Sequence, residues 1–364
     1  MKTELARAIP RLKRLLPGFR RVRVAVLGDL MLDRYLWGEA DRLSPEAAVP
    51  VVDFVSQTDC LGGAGNVAAN LVALGAQVQA FGVIGGRILG ANRVGDDEAG
   101  SALRACMRRA KIGERAVLAD PQRITTVKTR VIARHQQIVR IDHERRDMLS
   151  PESEEKLFRP LVTSLKKVDA LVLSDYDKGL ITDAFAERVL NACRKFKVPV
   201  FVKPKTSQLF AYRGARAIVC NTKEAGFYVT RFLSDEESVE EAGRALLARF
   251  GGAAVVVTRA EKGMSIFEET SPRYLSIPAT SFEVTYARVG QPGIEPESSG
   301  RQVFDKTGAG DTVLSVLSLA IAAGATLPEA AYLANTAAGV VVGKLGTASV
   351  SPAELAAALD ELHT

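Results

Sequence analysis

Short apolar runs rich in β-branched residues recur along this chain, each separated from the next by a segment with helical periodicity, and few folds accommodate that order. Val22 to Leu27 reads as a buried strand, Gly65 to Leu74 as an apolar helix closed by Gly75, and Val78 to Ile84 as a strand again. Further strands are expected over Ala170 to Ser174, Val198 to Val202, Ala217 to Cys220 and Ala254 to Thr258, with helix-like segments such as Asp183 to Lys195 between them. Strands without polar alternation are buried on both faces, and helices between them make the connections parallel. The expectation is an α/β fold: a doubly wound, mostly parallel sheet flanked by helices. The hydrophobic content of 47% over 364 residues is ample for its core.

Two stretches break the alternation. Residues 34–55 and 124–144 interleave β-branched and aromatic residues with charged ones, which predicts exposed antiparallel strands forming a small lid. Lids of this kind bury their apolar face against a second subunit, so a homodimer through the lid is expected. Residues 1–20 form a leading amphipathic helix, with Leu5, Ala8, Ile9, Leu12, Leu15 and Leu16 at helical spacing, ahead of a domain over 21–358. Residues 85–93 and 282–300 read as insertions forming surface loops, the second from its Gly, Pro and Ser content.

No apolar run is long enough to span a bilayer, and Lys2, Arg7, Arg11, Lys13 and Arg14 interrupt any signal-peptide core. A cytoplasmic protein without membrane contact is expected. The four cysteines are scattered and the histidines are three, so neither a disulfide framework nor a zinc site is indicated. The net charge of +6 comes from dispersed basic residues with 6% aromatics, which favours a small anionic substrate over nucleic acid.

The run Asp305-Lys306-Thr307-Gly308-Ala309-Gly310-Asp311-Thr312, followed by apolar residues to Ala323, reads as a loop entering a helix. A helix N-terminus presents unpaired N–H groups and partial positive charge, a seat for an anion. Asp311 in that turn would stand where a base deprotonates a hydroxyl attacking a phosphoryl group. Helix capping explains an acid there equally well. There is no Gly-x-x-x-x-Gly-Lys-Ser/Thr run, and Gly63-Ala64-Gly65-Asn66-Val67-Ala68 meets the dinucleotide pattern only loosely, without a preceding buried strand.

Taken together, Gly28-Asp29-Leu30-Met31-Leu32-Asp33, Leu61-Gly62-Gly63-Ala64-Gly65-Asn66, Asn221-Thr222-Lys223-Glu224 and Asp305 to Asp311 resemble the ribokinase-like, pfkB-type sugar kinases over nearly the whole chain. Residues Gly28 to Gly38, Arg42 to Glu46, Thr125 to Arg130, Arg134-His135-Gln136-Gln137, Ser174-Asp175-Tyr176 and Gly343 to Thr347 are similar to the heptose-7-phosphate kinases, including the kinase half of bifunctional heptose kinase/adenylyltransferases.

The resemblance implies ATP-dependent phosphorylation of D-glycero-β-D-manno-heptose 7-phosphate at its anomeric hydroxyl, within ADP-heptose and lipopolysaccharide core synthesis. Asp311 would be the base, and the backbone of Gly308, Ala309 and Gly310 would stabilise the transferred phosphoryl group. Asp33, Gly62, Gly63 and Asn66 would hold sugar hydroxyls, while Lys128, Arg130, Arg134 and Lys178 would supply cations for the substrate phosphate. ATP would meet Asn221, Glu224, Thr258, Gly263, Asn335 and Gly339, with Ala338 in the adenine wall. Asn221 and Glu224, three apart, would organise water around Mg²⁺, though a capping box has the same spacing.

One departure stands out: Lys203 precedes Pro204-Lys205 where the family usually has an acid, which places a charge of opposite sign near the active-site edge. A His-x-Gly-His nucleotidyl-transfer motif is absent from the sequence, so a separate adenylyltransferase is expected to act downstream.

Overall fold

The computed structural model describes residues 2–90, 93–133, 136–205, 209–251, 254–271, 273–279, 308–344 and 348–361. The chain opens with α1 (Lys2–Leu15) and a 3-10 segment (Leu16–Arg21), then enters β1 (Arg23–Gly28). After Asp29 alone it continues as β2 (Leu30–Leu43), β3 (Pro50–Gly63), α2 (Ala64–Ala73), β4 (Gln77–Gly90), β5 (Arg93–Asp96) and α3 (Glu98–Arg109). Next come β6 (Gly113–Asp120), β7 (Thr126–Ala133), β8 (Gln136–His143), α4 (Pro151–Leu165), β9 (Ala170–Ser174), α5 (Asp183–Phe196) and β10 (Val200–Lys203). The second half holds β11 (Ala217–Asn221), α6 (Thr222–Val229), α7 (Glu236–Phe250), β12 (Ala254–Thr258), β13 (Met264–Glu268), β14 (Leu275–Ile277), α8 (Ala309–Ala322), α9 (Leu327–Val342) and α10 (Pro352–Glu361).

Among the described residues the main sheet runs β14-β13-β12-β11-β10-β9-β1-β4-β5, with β6 beside β4. Strands β6, β4, β1, β9, β10, β11 and β12 are parallel, while β13 and β14 add antiparallel pairs at one edge. Period-2 geometry splits β1 between two cores. Val24 and Val26 pack with α2, α8 and α9, whereas Ala25 and Leu27 pack with α4 and α5. Both faces are therefore buried, as the unbroken apolar strands require. Ile9, Leu12 and Leu16 seat the leading segment on the first of these cores.

A second sheet, in the order β3-β2-β7-β8, forms the lid. Hairpins β2–β3 and β7–β8 are antiparallel, and a parallel pairing from Met31↔Thr126 to Gly38↔Ala133 joins them. Its strand β2 starts at Leu30 rather than in the mid-thirties, because Leu30, Met31 and Leu32 are all buried and the chain leaves β1 without a turn. Phe54 and Val55 on β3 and Ile141 on β8 are more than half exposed.

Residues 85–93 were expected to loop, and the structure corrects this: β4 runs on to Gly90 and β5 returns along it, with Ile88 opposite Val94. Facing β-branched side chains favour a paired strand over a loop. The expected insertion at 282–300 lies outside the described residues.

Candidate active site

The parallel strands end on one side of the sheet, and the lid stands over those ends. Between them lies a cleft with a cavity volume of about 670 Å³. Its walls include Asp33, Lys128 and Arg130 from the lid, Lys203, Asn221 and Thr258 at strand ends, and Gly308 to Asp311 at the start of α8. A ligand site at the carboxyl ends of the strands is where an open α/β sheet leaves a crevice.

Helix α8 is buried along most of its length and its polar residues fasten it to α2. Ser315 Oγ donates to the Val67 carbonyl at 3.2 Å, Thr312 Oγ1 donates to Asn70 Oδ1 at 3.1 Å, and Asn70 Nδ2 donates to the Asn66 carbonyl at 2.9 Å. These bonds fix where the first turn of α8 points. Gly308 is its N-cap and no side chain caps it. Asp311 is therefore doing something other than capping.

The Asp311 carboxylate, 4% exposed, gathers three donors. Tyr176 Oη and Lys203 Nζ both donate to Oδ1 at 2.6 Å, and Asn66 Nδ2 donates to Oδ2 at 2.9 Å. Burial alone would push the Lys203 ammonium down, but the Asp311 carboxylate outweighs it and the net shift is upward, so the lysine stays charged. Burial, with Asp311 adding to it, raises the Tyr176 phenol far above its ordinary range. Asn66, expected as a sugar ligand, is brought to the site, where it donates to Asp311.

On the lid side, Arg130 Nη1 donates to Asp33 Oδ1 at 2.8 Å, and both residues are buried. Burial raises the Asp33 carboxyl, against the opposing pull of Arg130. Gly62 lies against this carboxylate: a Cβ there would stand 2.7 Å from Asp33 Oδ2. Gly63 has φ +56°, and a Cβ on it would meet the Asp29 carbonyl oxygen at 2.4 Å. The remaining cations are partnered by lid acids. Lys128 Nζ reaches Asp142 at 3.0 Å and Glu144 at 3.1 Å, and Lys178 Nζ reaches Glu144 at 2.8 Å. Lys178 is buried and does not line the cleft, while Arg134 lies outside the described residues.

At the far end, Thr258 and Gly263 join Asn335, Ala338 and Gly339 along the wall, a surface of small residues suited to a flat ring. Asn221 and Glu224 line the same end and form a reciprocal capping box on α6, at 2.8 and 3.0 Å. The second oxygen of Glu224 pairs with Lys205. No cluster of three His, Cys, Asp or Glu side chains able to hold a metal occurs among the described residues.

A family model described as pfkB family carbohydrate kinase matches residues 22–354. The chain belongs to the pfkB family of carbohydrate kinases. Among curated proteins it is 44% identical over 344 residues to the bifunctional protein HldE of Geotalea uraniireducens (strain Rf4), covering 94% of this chain and 64% of that one. To HldE of Geobacter sulfurreducens it is 43% identical, again over 94% of this chain and 64% of the relative. The chain thus spans slightly less than two-thirds of the length of the curated relatives it matches. Among solved structures, Arabidopsis thaliana ribokinase complexed with ribose and ATP has a TM-score of 0.69 at 16% identity, covering 93% of this chain and 98% of that one. Escherichia coli phosphofructokinase-2 in complex with substrates and products has 0.69 at 18%, covering 94% and 99%. These two share the fold.

For this pfkB kinase, sequence reasoning missed Tyr176, Arg140 and Lys205, all of which line the cleft. Tyr176 stands in a quoted motif without a role; nothing in the sequence links it to Asp311, 135 positions away. Asp29 was also missed. It sits between β1 and β2 and its Oδ2 accepts the backbone N–H groups of Tyr176 at 2.8 Å and Lys178 at 3.3 Å. Burial, then the neighbouring Asp175, raises its carboxyl to about 7. A carboxyl raised in the folded state binds a proton more readily there than in the unfolded chain. Its contribution to stability is therefore complete below about 4 and is lost as pH rises toward 7. Denaturant midpoints of this kinase are expected to fall across that window, by at most about 1.4 kcal/mol per pH unit from this group. Asp29→Asn should flatten the slope; an unchanged slope would remove Asp29 as its source.

Proposed function

We propose that the chain is an ATP-dependent kinase that converts D-glycero-β-D-manno-heptose 7-phosphate to the 1,7-bisphosphate, on the way to ADP-heptose and lipopolysaccharide core. The observation that carries this reading is the Asp311 carboxylate in the first turn of α8, facing a cleft that also holds the buried Asp33–Arg130 pair and the lid lysine Lys128. The extended match to HldE, at 44% identity, supports the heptose phosphate over other sugars.

In this reading Asp33 accepts hydrogen bonds from sugar hydroxyls, with the glycine pair at Gly62 and Gly63 letting the ring lie close to the backbone. The substrate's phosphate is received by Lys128, Arg130 and Arg140, and binding exchanges their lid carboxylates for the phosphate. Lys178 keeps Lys128 in place through Glu144. The anomeric hydroxyl gives its proton to Asp311 as its oxygen bonds to the γ-phosphorus. The bond from that phosphorus to the β,γ-bridging oxygen breaks, and ADP leaves with the electron pair. The N–H groups at Gly308, Ala309 and Gly310 face the charge that develops on the transferred group.

Mg²⁺ would travel with the ATP phosphates, whose charge it offsets. The chain offers it Glu224 and Asn221 through water, which fits a cation that keeps much of its hydration. A homodimer through the exposed apolar lid residues Phe54, Val55 and Ile141, a cytoplasmic location and an adenylyltransferase acting on the product belong to the same proposal.

The test is ADP release from Mg-ATP with heptose 7-phosphate beside fructose 6-phosphate and ribose, with the product's new phosphate located by ³¹P NMR. Turnover confined to the heptose phosphate is expected. Equal turnover on another sugar moves the assignment within the family, and ATP binding without turnover on any sugar identifies a sugar-phosphate-binding protein instead.

A further inference from the structure

Lys203 occupies an unusual position for a residue with no assigned role. It ends β10, opposite Ser174 of β9, and its side chain crosses the cleft floor to reach Asp311. The side chain is 15% exposed and lies over the Tyr176 ring, with Nζ 5.2 Å from the centroid and 3.3 Å from Oη. The same Nζ stands 3.3 Å from where a Cβ on Gly310 would be, the closest atom to that point. One ammonium thus touches the base and adjoins the turn of α8 whose free N–H groups make the anion seat.

That geometry creates a conflict in the free protein. Oδ1 of Asp311 already accepts from both Lys203 and Tyr176, so the ammonium must leave or share that oxygen before it takes a proton. A phosphoryl group at the first turn of α8 carries more negative charge than a single carboxylate and offers several acceptor oxygens, so it competes for the same cation.

We propose that Lys203 is a catalytic cation that passes from the Asp311 carboxylate to the transferred phosphoryl group, so that arrival of the nucleotide is what frees the base. This rests on the kinase reading above and adds to it a residue and an order of events. Before nucleotide binds, the carboxylate is masked and sugar alone meets an unreactive site. Once the terminal phosphate is seated, Lys203 offsets charge on its equatorial oxygens while Asp311 takes the hydroxyl proton.

The terminal phosphate is what Lys203 reads, so the test compares nucleotides that differ only there. Calorimetric titration of the full chain with ATP and with ADP, in Mg²⁺, gives an ATP-to-ADP affinity ratio without any sugar. Lys203→Met and Lys203→Gln are each expected to lower that ratio by about 10- to 100-fold, the loss of one charge-assisted hydrogen bond, while Lys203→Arg retains most of it. The glutamine variant can still bond Asp311, so it covers the case in which the methionine variant does not fold. An unchanged ratio in folded Met or Gln variants would make Lys203 a structural counter-ion and overturn the proposal. Failure of the wild-type chain to bind either nucleotide would overturn the kinase reading itself, and this inference with it.

Discussion

Asp311→Asn is expected to lower turnover by about 10²- to 10⁴-fold, the range a positioned general base contributes, while ATP binding persists. The amide is nearly the same shape, and its oxygen still accepts from Tyr176 and from Lys203. What it lacks is a group that can take the hydroxyl proton as the oxygen–phosphorus bond forms. Steady-state ADP release, with circular dichroism and thermal melting as controls, reads the effect. A folded variant within tenfold of wild type would mean that the proton leaves by another route, and that the three donors around this carboxylate serve packing alone. Loss of folding would instead point to the α2–α8 polar network, which Asp311 joins through Asn66.

Arg130→Met should be the most damaging single change to stability. It strips the cation from Asp33, a carboxylate only 4% exposed, and leaves a buried charge whose loss of compensation typically costs about 3–5 kcal/mol. Its guanidinium also lies 5.3 Å from the centroid of the Tyr35 ring, so packing is lost as well. Replacing both members, as Arg130→Met with Asp33→Leu, should recover much of the stability, because two apolar side chains need no counter-charge. The double variant is expected to fold and yet to be inactive, having lost the proposed sugar ligand. Urea unfolding followed by fluorescence reads both. A single variant with an unshifted midpoint would show that water reaches Asp33 and that the pair is not truly buried.

Much of this architecture was legible because it rests on local rules. The strands at Ala170–Ser174 and Ala254–Thr258 fall where unbroken apolar runs placed them, and α5 (Asp183–Phe196) follows its helical spacing. The glycine-rich turn before α8 could be read as an anion seat from helix geometry alone. What the sequence left open was pairing at a distance. Two explanations fitted Asp311; the structure shows that no side chain caps α8 and that Lys203, Tyr176 and Asn66 gather around this carboxylate, none of which its spacing reveals. The lid cations were readable as a group, but the acids that pair with them were not: Asp142 faces Lys128 through a strand register no spacing rule reveals, and Glu144 follows just past β8. Asn221 and Glu224 illustrate the converse: their capping box is visible in sequence and present in the structure.

The parallel pairing of β2 with β7 also bears on how the protein acquires its shape. Met31 to Gly38 must wait for Thr126 to Ala133, nearly a hundred residues later in the chain, whereas the β2–β3 hairpin closes at once. Contacts so far apart in sequence carry a large loop-closure entropy and slow folding. During synthesis the first hairpin therefore exists for a time with an unpaired edge, and Arg34, tied to Asp59 across that hairpin at 2.8 Å, gives it a charged anchor that resists slippage and unwanted strand addition until its partner emerges.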